Sequence, residues 1–343
     1  MTNENMRFAV IFTIETGEIQ MKKILVIHTG GTISMMEDKE TGAVQQNQQN
    51  PLLHHTDALS TIADVKVEEL FQLPSPHITE KEMFLLKEKI ETSIHEDAIE
   101  GVVITHGTDT LEETAYFLDI TVQSDIPIVV TGAMRSSNEL GADGPYNLIS
   151  AVRVAASDRA VGKGVLVVMN DEIHTAKNVT KTHTSNIATF QSPQYGPIGI
   201  VSKRDVTFHH IPTVRESYKI KKVTKNVILL KAYAGMDHSL IKAIHTIQPD
   251  GVVIEALGQG NLPPMIVPEL KKLIHSGIPL VLVSRCFNGY VQDVYNYEGG
   301  GRKLKELGVI FSNGLNGQKA RLKLLVTLEV THNPDELQEI FLK

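Results

Sequence analysis

The sequence predicts an α/β protein of two domains, with a larger N-terminal mixed sheet and a smaller C-terminal parallel sheet, both covered by helices. Three observations lead there. Short apolar, β-branched runs recur along the chain and mostly end in Gly or a small polar residue, as strands buried on both faces do. Helical patterns fall between those runs, and such alternation reads as an open sheet with helices packed over it. The length, 343 residues, suggests two cores at roughly 150 residues per domain.

Taken in order, residues 1–20 are expected to be an N-terminal extension, either an extra strand or the contribution of an upstream start codon. Its apolar run Phe8–Phe12 is short, Arg7 is the basic side chain ahead of it, and no small-residue cleavage site follows, so no signal peptide is expected. Met21-Lys22-Lys23 looks like a natural start of its own. The first strands are Ile24–His28, running into Thr29-Gly30-Gly31-Thr32, and Val102–Thr105, running into His106-Gly107-Thr108-Asp109. Ile128–Thr131 ends at Gly132, and Val165–Met169 ends at Asn170-Asp171. Later runs are Val227–Leu230, Val252–Leu257, Leu280–Val283 and Val309–Ser312. Thr110-Leu111-Glu112-Glu113 has the form of a capping box opening a helix through Phe117 and Leu118. Gln45–Gln49 reads as a polar loop. The polar stretch Ser202–Thr224, with Pro212 inside it, breaks the rhythm and reads as a pair of edge strands with a solvated face. Domains are therefore expected at 21–205 and 226–343, joined by a linker at 206–225.

Composition narrows the function. Hydrophobic residues are 42% and charged residues 21% of the chain, which excludes a disordered, collagenous or coiled-coil protein. With 33 Lys and Arg against 40 Asp and Glu the net charge is −7, a poor match to a phosphate backbone, so no nucleic acid partner is expected. No run approaches the roughly 20 apolar residues that span a bilayer. A single cysteine cannot form an internal disulfide, which favours a cytoplasmic protein acting on a small molecule.

In open α/β sheets, ligands bind beyond the carboxyl ends of the strands. Two loops stand there, Gly30-Gly31-Thr32 and Gly107-Thr108-Asp109, their threonines 76 residues apart. Glycines such as Gly31 let backbone N–H groups approach a substrate closely. A threonine oxygen attacks a carbonyl once something removes its proton, and N–H groups at a helix start stabilise the oxyanion. His28 and His106 are near, but a lone histidine at a strand end is more often structural than a base. Lys181, in Asn178-Val179-Thr180-Lys181-Thr182, is the third candidate. A neutral lysine acts as a base, yet an acidic partner such as Asp109 favours its protonated form. A relay through water, or a role shared with Thr108, resolves that conflict.

Other patterns are weaker. Gly258-Gln259-Gly260 has two glycines of a dinucleotide fingerprint, but Pro263 stands at the third position. Gly299-Gly300-Gly301-Arg302 lacks the Lys-Ser/Thr of a P-loop and reads as a turn or lid. Cys286 follows a strand and Arg285, which offers it as a nucleophile, but a buried free thiol is the commoner outcome for such a residue. The fourteen histidines fall into no HExxH or Cys/His array, so no metal is expected. Asp143-Gly144-Pro145 reads first as a turn.

His28-Thr29-Gly30-Gly31-Thr32-Ile33 and Thr105-His106-Gly107-Thr108-Asp109-Thr110 resemble the two signature motifs of the bacterial-type L-asparaginases. The resemblance spans about residues 22–343. It includes Thr131-Gly132-Ala133-Met134-Arg135, Ala142-Asp143-Gly144-Pro145, Val167-Val168-Met169-Asn170-Asp171 and Val179-Thr180-Lys181-Thr182. It implies hydrolysis of the side-chain amide of asparagine to aspartate and ammonia, sometimes of glutamine too, with no cofactor. Thr32 matches the primary nucleophile. Thr108, Asp109 and Lys181 match the second catalytic group, Asp109 also gripping the substrate α-amino group. Ser75 matches the residue that holds the α-carboxylate, and Asn261 one lent across a dimer interface. The resemblance also implies homotetramers built from intimate dimers.

Two departures accompany it. Relatives carry a lid tyrosine that helps to activate the threonine, whereas Gly42-Ala43-Val44-Gln45 stands there and no Tyr lies between Thr32 and Thr108. Many secreted relatives lend a glutamate from the neighbouring subunit, and here Gln292-Asp293-Val294-Tyr295 puts Tyr295 at that point. Two alternatives stay open: an amide-cleaving subunit of a multi-protein complex, such as a tRNA-dependent amidotransferase, and a nucleotide-binding dehydrogenase built on the Gly258 loop. Against the first, subunits of that kind carry an additional N-terminal domain, for which 20 extra residues are too few.

Overall fold

The computed structural model describes residues 21–46 and 56–343. The extension at residues 1–20 lies outside the described residues. In chain order the strands are β1 (Lys23–His28), β2 (Met35–Glu37), β3 (Val44–Gln46), β4 (Asp64–Glu69), β5 (Gly101–Thr105), β6 (Ile128–Thr131), β7 (Val165–Met169), β8 (Glu172–Thr175), β9 (Thr180–Lys181), β10 (Phe190–Gln191), β11 (Gly199–Val201), β12 (Val206–Phe208), β13 (Val227–Lys231), β14 (Gly251–Ala256), β15 (Leu280–Ser284) and β16 (Ile310–Phe311). The helices are α1 (Thr56–Ser60), α2 (Glu80–Glu96), α3 (Leu111–Thr121), α4 (Gly144–Ala155), α5 (Ser239–Ile247), α6 (Val267–His275), α7 (Gly301–Glu306), α8 (Gly317–Leu328) and α9 (Pro334–Leu342).

The larger sheet runs β12-β11-β8-β7-β6-β5-β1-β4. From β4 to β7 its strands are parallel, and from β7 outward they alternate in direction. The reversal happens at Asn170 and Asp171, both at positive φ (51° and 63°). Asx residues tolerate that region, and such two-residue turns match the twist of a hairpin. The smaller sheet, β13-β14-β15-β16, is wholly parallel. The fold is thus the expected two-sheet α/β arrangement, mixed and then parallel.

Burial explains which elements were readable. Every residue of β5, β6 and β7 is buried. α1 and α4 cover one face of the large sheet, α2 and α3 the other. α5 and α6 cover one face of the small sheet. α8 and α9 cover the other, and there Tyr116, Phe117 and Ile120 of α3 join one core with Leu322, Leu325 and Val326 of α8. That shared core fixes the two sheets to each other.

Several local expectations need correction. The capping box at Thr110 does not form: Thr110 has no side-chain cap bond, and its hydroxyl instead donates to the Ser75 carbonyl at 2.8 Å. A full capping box exists elsewhere, at Thr79 and Glu82 on α2. The edge strands β11 and β12 are present, but only β12 falls within 202–224. The 206–225 segment opens with β12 and then has no regular secondary structure. Gln45 and Gln46 belong to β3, not to a loop, and residues 47–49 lie outside the described residues. β4 went unread because its DVKVEE sequence is largely polar; it pairs with β1 on one side only.

Candidate active site

The carboxyl ends of β1 and β5 lie side by side, with His28 paired to Thr105. Past them the chain turns through loops held glycine against backbone. A Cβ on Gly31 (φ 84°) would come within 2.2 Å of the Gly107 Cα, and one on Gly107 within 2.8 Å of the Ser75 side chain. Three loops therefore converge, carrying Thr32, Ser75 and Thr108. Only glycine permits this approach.

Thr32 opens a short 3-10 turn, Thr32–Ser34, braced by the Ser34 hydroxyl donating to the Gly31 carbonyl at 2.9 Å. Among the described residues the Thr32 hydroxyl engages no hydrogen bond, and neither do the backbone N–H groups of Gly31, Thr32 and Thr108. Such groups are available to a substrate oxygen.

Lys181 comes from β9, which pairs with β10 over two residues. Its Nζ donates to Thr108 Oγ1 at 3.0 Å and to Asp109 Oδ1 at 2.7 Å. The Asp109 side chain is 61% exposed, whereas that of Lys181 is 16% exposed. The lysine is thus sheltered, while the carboxylate is open to a ligand. The Asp109 backbone N–H donates to the Ser75 hydroxyl at 3.2 Å. Of the expected site residues, Ser75, Thr108, Asp109 and Lys181 are linked by hydrogen bonds, and Gly31 and Thr32 adjoin them through Gly107. Asn261 is not brought in within one chain. It closes a turn at the end of β14, its carbonyl accepting from the Leu257 N–H at 3.0 Å, and its Oδ1 is buried without a partner among the described residues.

The two histidines are structural. His106 Nδ1 donates to the Gly107 carbonyl at 2.8 Å, so its Nε2 accepts from the Thr114 hydroxyl at 2.9 Å. Burial holds its pKa down at about 4. His28 contacts Thr105 Oγ1 at 2.7 Å and burial brings it likewise to about 4, against an upward pull from Glu69. Both rings are neutral at pH 7.

The remaining motifs resolve simply. Asp143 is a staple: its carboxylate accepts from the N–H groups of Met134 and Arg135. Gly258-Gln259-Gly260 makes a tight turn closed by the Leu257–Asn261 bridge, and Pro263 and Pro264 stand between it and α6, at the start of the 3-10 turn that leads into that helix. Gly299–Gly301 is the turn that opens α7. Cys286 is exposed rather than buried, on the wall of a polar cavity of about 220 Å³ that also reaches Lys181 and Glu112. Among the described residues no cluster of three or more His, Cys, Asp or Glu could hold a metal, and no helix is long and apolar enough to cross a membrane.

Sequence reasoning missed the ring behind Lys181. Glu112 Oε1 accepts from the Thr180 hydroxyl at 2.9 Å and the Lys181 N–H at 3.3 Å. Asn316 and Lys319 of the smaller domain reach its Oε2. No local pattern marks these residues.

Residues 23–214 match the family profile "Asparaginase, N-terminal", and residues 226–341 match "Glutaminase/Asparaginase C-terminal domain". The chain is 34% identical to the L-asparaginase of Bacillus licheniformis over 90% of this chain and 95% of that one. It is 34% identical to L-asparaginase 2 of Escherichia coli (strain K12), over 97% and 96%. A crystal structure of a probable cytoplasmic L-asparaginase from Campylobacter jejuni superposes with a TM-score of 0.83 at 34% identity, over 94% of this chain and 99% of that one. With two profiles matched in order and relatives aligned over nearly their full length, the chain belongs to the asparaginase family.

Proposed function

We propose that this protein is an L-asparagine amidohydrolase, converting L-asparagine to L-aspartate and ammonia through a threonine acyl-enzyme. The observation that carries the reading is the Lys181 ammonium set between Thr108 Oγ1 and Asp109 Oδ1, beside the Thr32 loop. Thr32 Oγ1 attacks the side-chain amide carbon and the unpaired N–H groups hold the oxyanion. As the C–N bond breaks, the Thr32 proton passes to the departing nitrogen, which leaves as ammonia. Thr108, Lys181 and Asp109 relay that proton. Water then attacks the ester and its proton returns to Thr32 as the C–O bond breaks.

Asp109, with its open carboxylate, binds the substrate α-amino group, and Ser75 with the Gly31 loop binds the α-carboxylate. Asn261 serves the neighbouring subunit's site, so the working unit is a homodimer or homotetramer with sites at the dimer interface. Its unpartnered Oδ1 supports that role. Weak glutaminase activity fits the family, whose second profile names both amides. The unpaired Cys286 and the likeness to a probable cytoplasmic relative support a cytoplasmic location. The chain divides into domains at 21–205 and 226–343, with the linker at 206–225.

The test is ammonia release by the purified protein from L-asparagine and, separately, L-glutamine. Release from asparagine, exceeding that from glutamine, is expected. No release from either by a folded oligomer would refute the reading.

A further inference from the structure

A buried carboxylate lies directly behind Lys181. Glu112, 5% exposed, sits in the first turn of α3. One oxygen accepts from the Thr180 hydroxyl at 2.9 Å and the Lys181 N–H at 3.3 Å. The other accepts from Asn316 Nδ2 at 2.9 Å and faces Lys319 Nζ at 3.5 Å. Asn316 is the N-cap of α8 and Lys319 lies in its first turn, so both come from the smaller domain. Lys319 is 1% exposed, and its ammonium also donates to the Val179 carbonyl and, at 3.2 Å, to the Lys177 carbonyl. Every one of these bonds on the N-terminal side ends on Glu112 or on the segment 177–181.

We infer that Glu112 and Lys319 are positioning residues through which the smaller domain sets Lys181 against Thr108. This rests on the proposed catalytic role of Lys181. Three observations support it. The ladder that carries Lys181 is two residues long and is extended only on its far side, by the Thr182 and His183 bonds to Thr189, whereas Glu112 and Lys319 attach on the near side, at residues 177–181. A lysine ammonium buried at Lys319 is retained only if its acceptors are in place, and two of those acceptors are carbonyls of the Lys181 segment. Finally, a 3.0 Å contact at the end of a four-carbon stem tolerates little drift, since a displacement of about 1 Å at a reacting group costs on the order of a hundredfold in rate. The pair touches no substrate; it acts on the backbone and on Thr180, and so on where Nζ stands.

The experiment is a double-mutant cycle in the full chain, reading kcat and KM on L-asparagine together with the unfolding midpoint. Glu112→Gln keeps the shape but cannot balance Lys319. Thr180→Val keeps the charges and removes one bond. Each is made in the wild-type and in the Lys181→Met background. We expect kcat to fall about tenfold or more for Glu112→Gln and a few-fold for Thr180→Val, with KM within about twofold. In the Lys181→Met background the same changes should lower the residual turnover by less than about twofold, because they act through the absent ammonium. A wild-type kcat in Glu112→Gln beside an impaired Lys181→Met would overturn the inference alone. So would an equal loss in both backgrounds, which marks a general structural effect. Full activity of Lys181→Met would remove the reading beneath it, and the inference with it. Should Glu112→Gln not fold, Thr180→Val decides by the same criteria.

Discussion

The Cα of Gly107 stands where a side chain on Gly31 would have to go, 2.2 Å from the ideal Cβ position. This contact joins the loop bearing Thr32 to the loop bearing Thr108. Gly31→Ala must therefore move backbone at the site and also holds a strained φ of 84°. Gly235 has nearly the same φ, 77°, but nothing within 4 Å of its Cβ position. Gly235→Ala should cost about 1 kcal/mol and leave kcat unchanged. Gly31→Ala should cost about 2–4 kcal/mol and lower kcat at least tenfold. Thermal midpoints and turnover of both variants separate collision from φ strain. Equal behaviour would show that the glycine contact does not matter.

Ser75 accepts the Asp109 N–H and, in the proposed site, meets the substrate carboxylate. Ser75→Ala removes a hydrogen bond to a charged group, worth about 1.5–3 kcal/mol. KM for asparagine is expected to rise roughly ten- to a hundredfold, with kcat changed less. A change confined to kcat would place Ser75 outside the carboxylate subsite.

The capping geometry gives a stability test. Thr79→Ala removes the capping box of α2 and should cost about 1 kcal/mol. Glu113 caps nothing; burial and the neighbouring Glu112 push its carboxyl pKa up. Glu113→Gln should therefore be neutral or stabilising in denaturant unfolding. Gln can itself complete a capping box, so Glu113→Ala is the check on that point: a loss of about 1 kcal/mol there would restore the capping box at Thr110.

Acid sensitivity follows from three buried histidines. Burial brings His28, His106 and His174 from 6.5 to about 4. Between those values the unfolded chain binds protons that the folded chain does not, so stability falls as pH falls from about 6.5 to 4. Asp119 works the other way, because burial raises its carboxyl to about 6 and the folded chain takes up its proton first. Asp119 and the raised Glu113 carboxyl oppose the three histidines, leaving a net uptake of roughly one to two protons on unfolding near pH 5, or about 1–3 kcal/mol per pH unit. Denaturant midpoints between pH 7 and 4.5 check this. A flat profile would mean that these rings are not buried as neutral groups.

Much of the fold was legible because the strands β1 and β5 to β7 are buried on both faces and read as unbroken apolar runs. The threonine loops were legible because glycine and hydroxyl residues sit together at strand ends. What was not legible depends on distant partners. Thr110 looked like a cap until the Ser75 carbonyl, 35 residues away, proved to hold its hydroxyl. Cys286 looked buried because a strand precedes it, but it stands past the end of β15 at the edge of a cavity. Asn316 and Glu112 meet across 204 residues, and nothing in the amphipathic pattern of α3 or α8 announces a charge pair in the core. Strand identity is a local property of the chain, whereas the support of a site is a tertiary one.

The central claim is that the Thr32 hydroxyl attacks the substrate amide. The most direct measurement is ammonia release from L-asparagine by Thr32→Ala beside the wild-type protein, with folding checked by thermal midpoint. A loss of about 10⁴-fold or more in kcat is expected for removal of a nucleophile. A folded Thr32→Ala that keeps most of the wild-type turnover would contradict the account and transfer the nucleophile to another residue, Thr108 first.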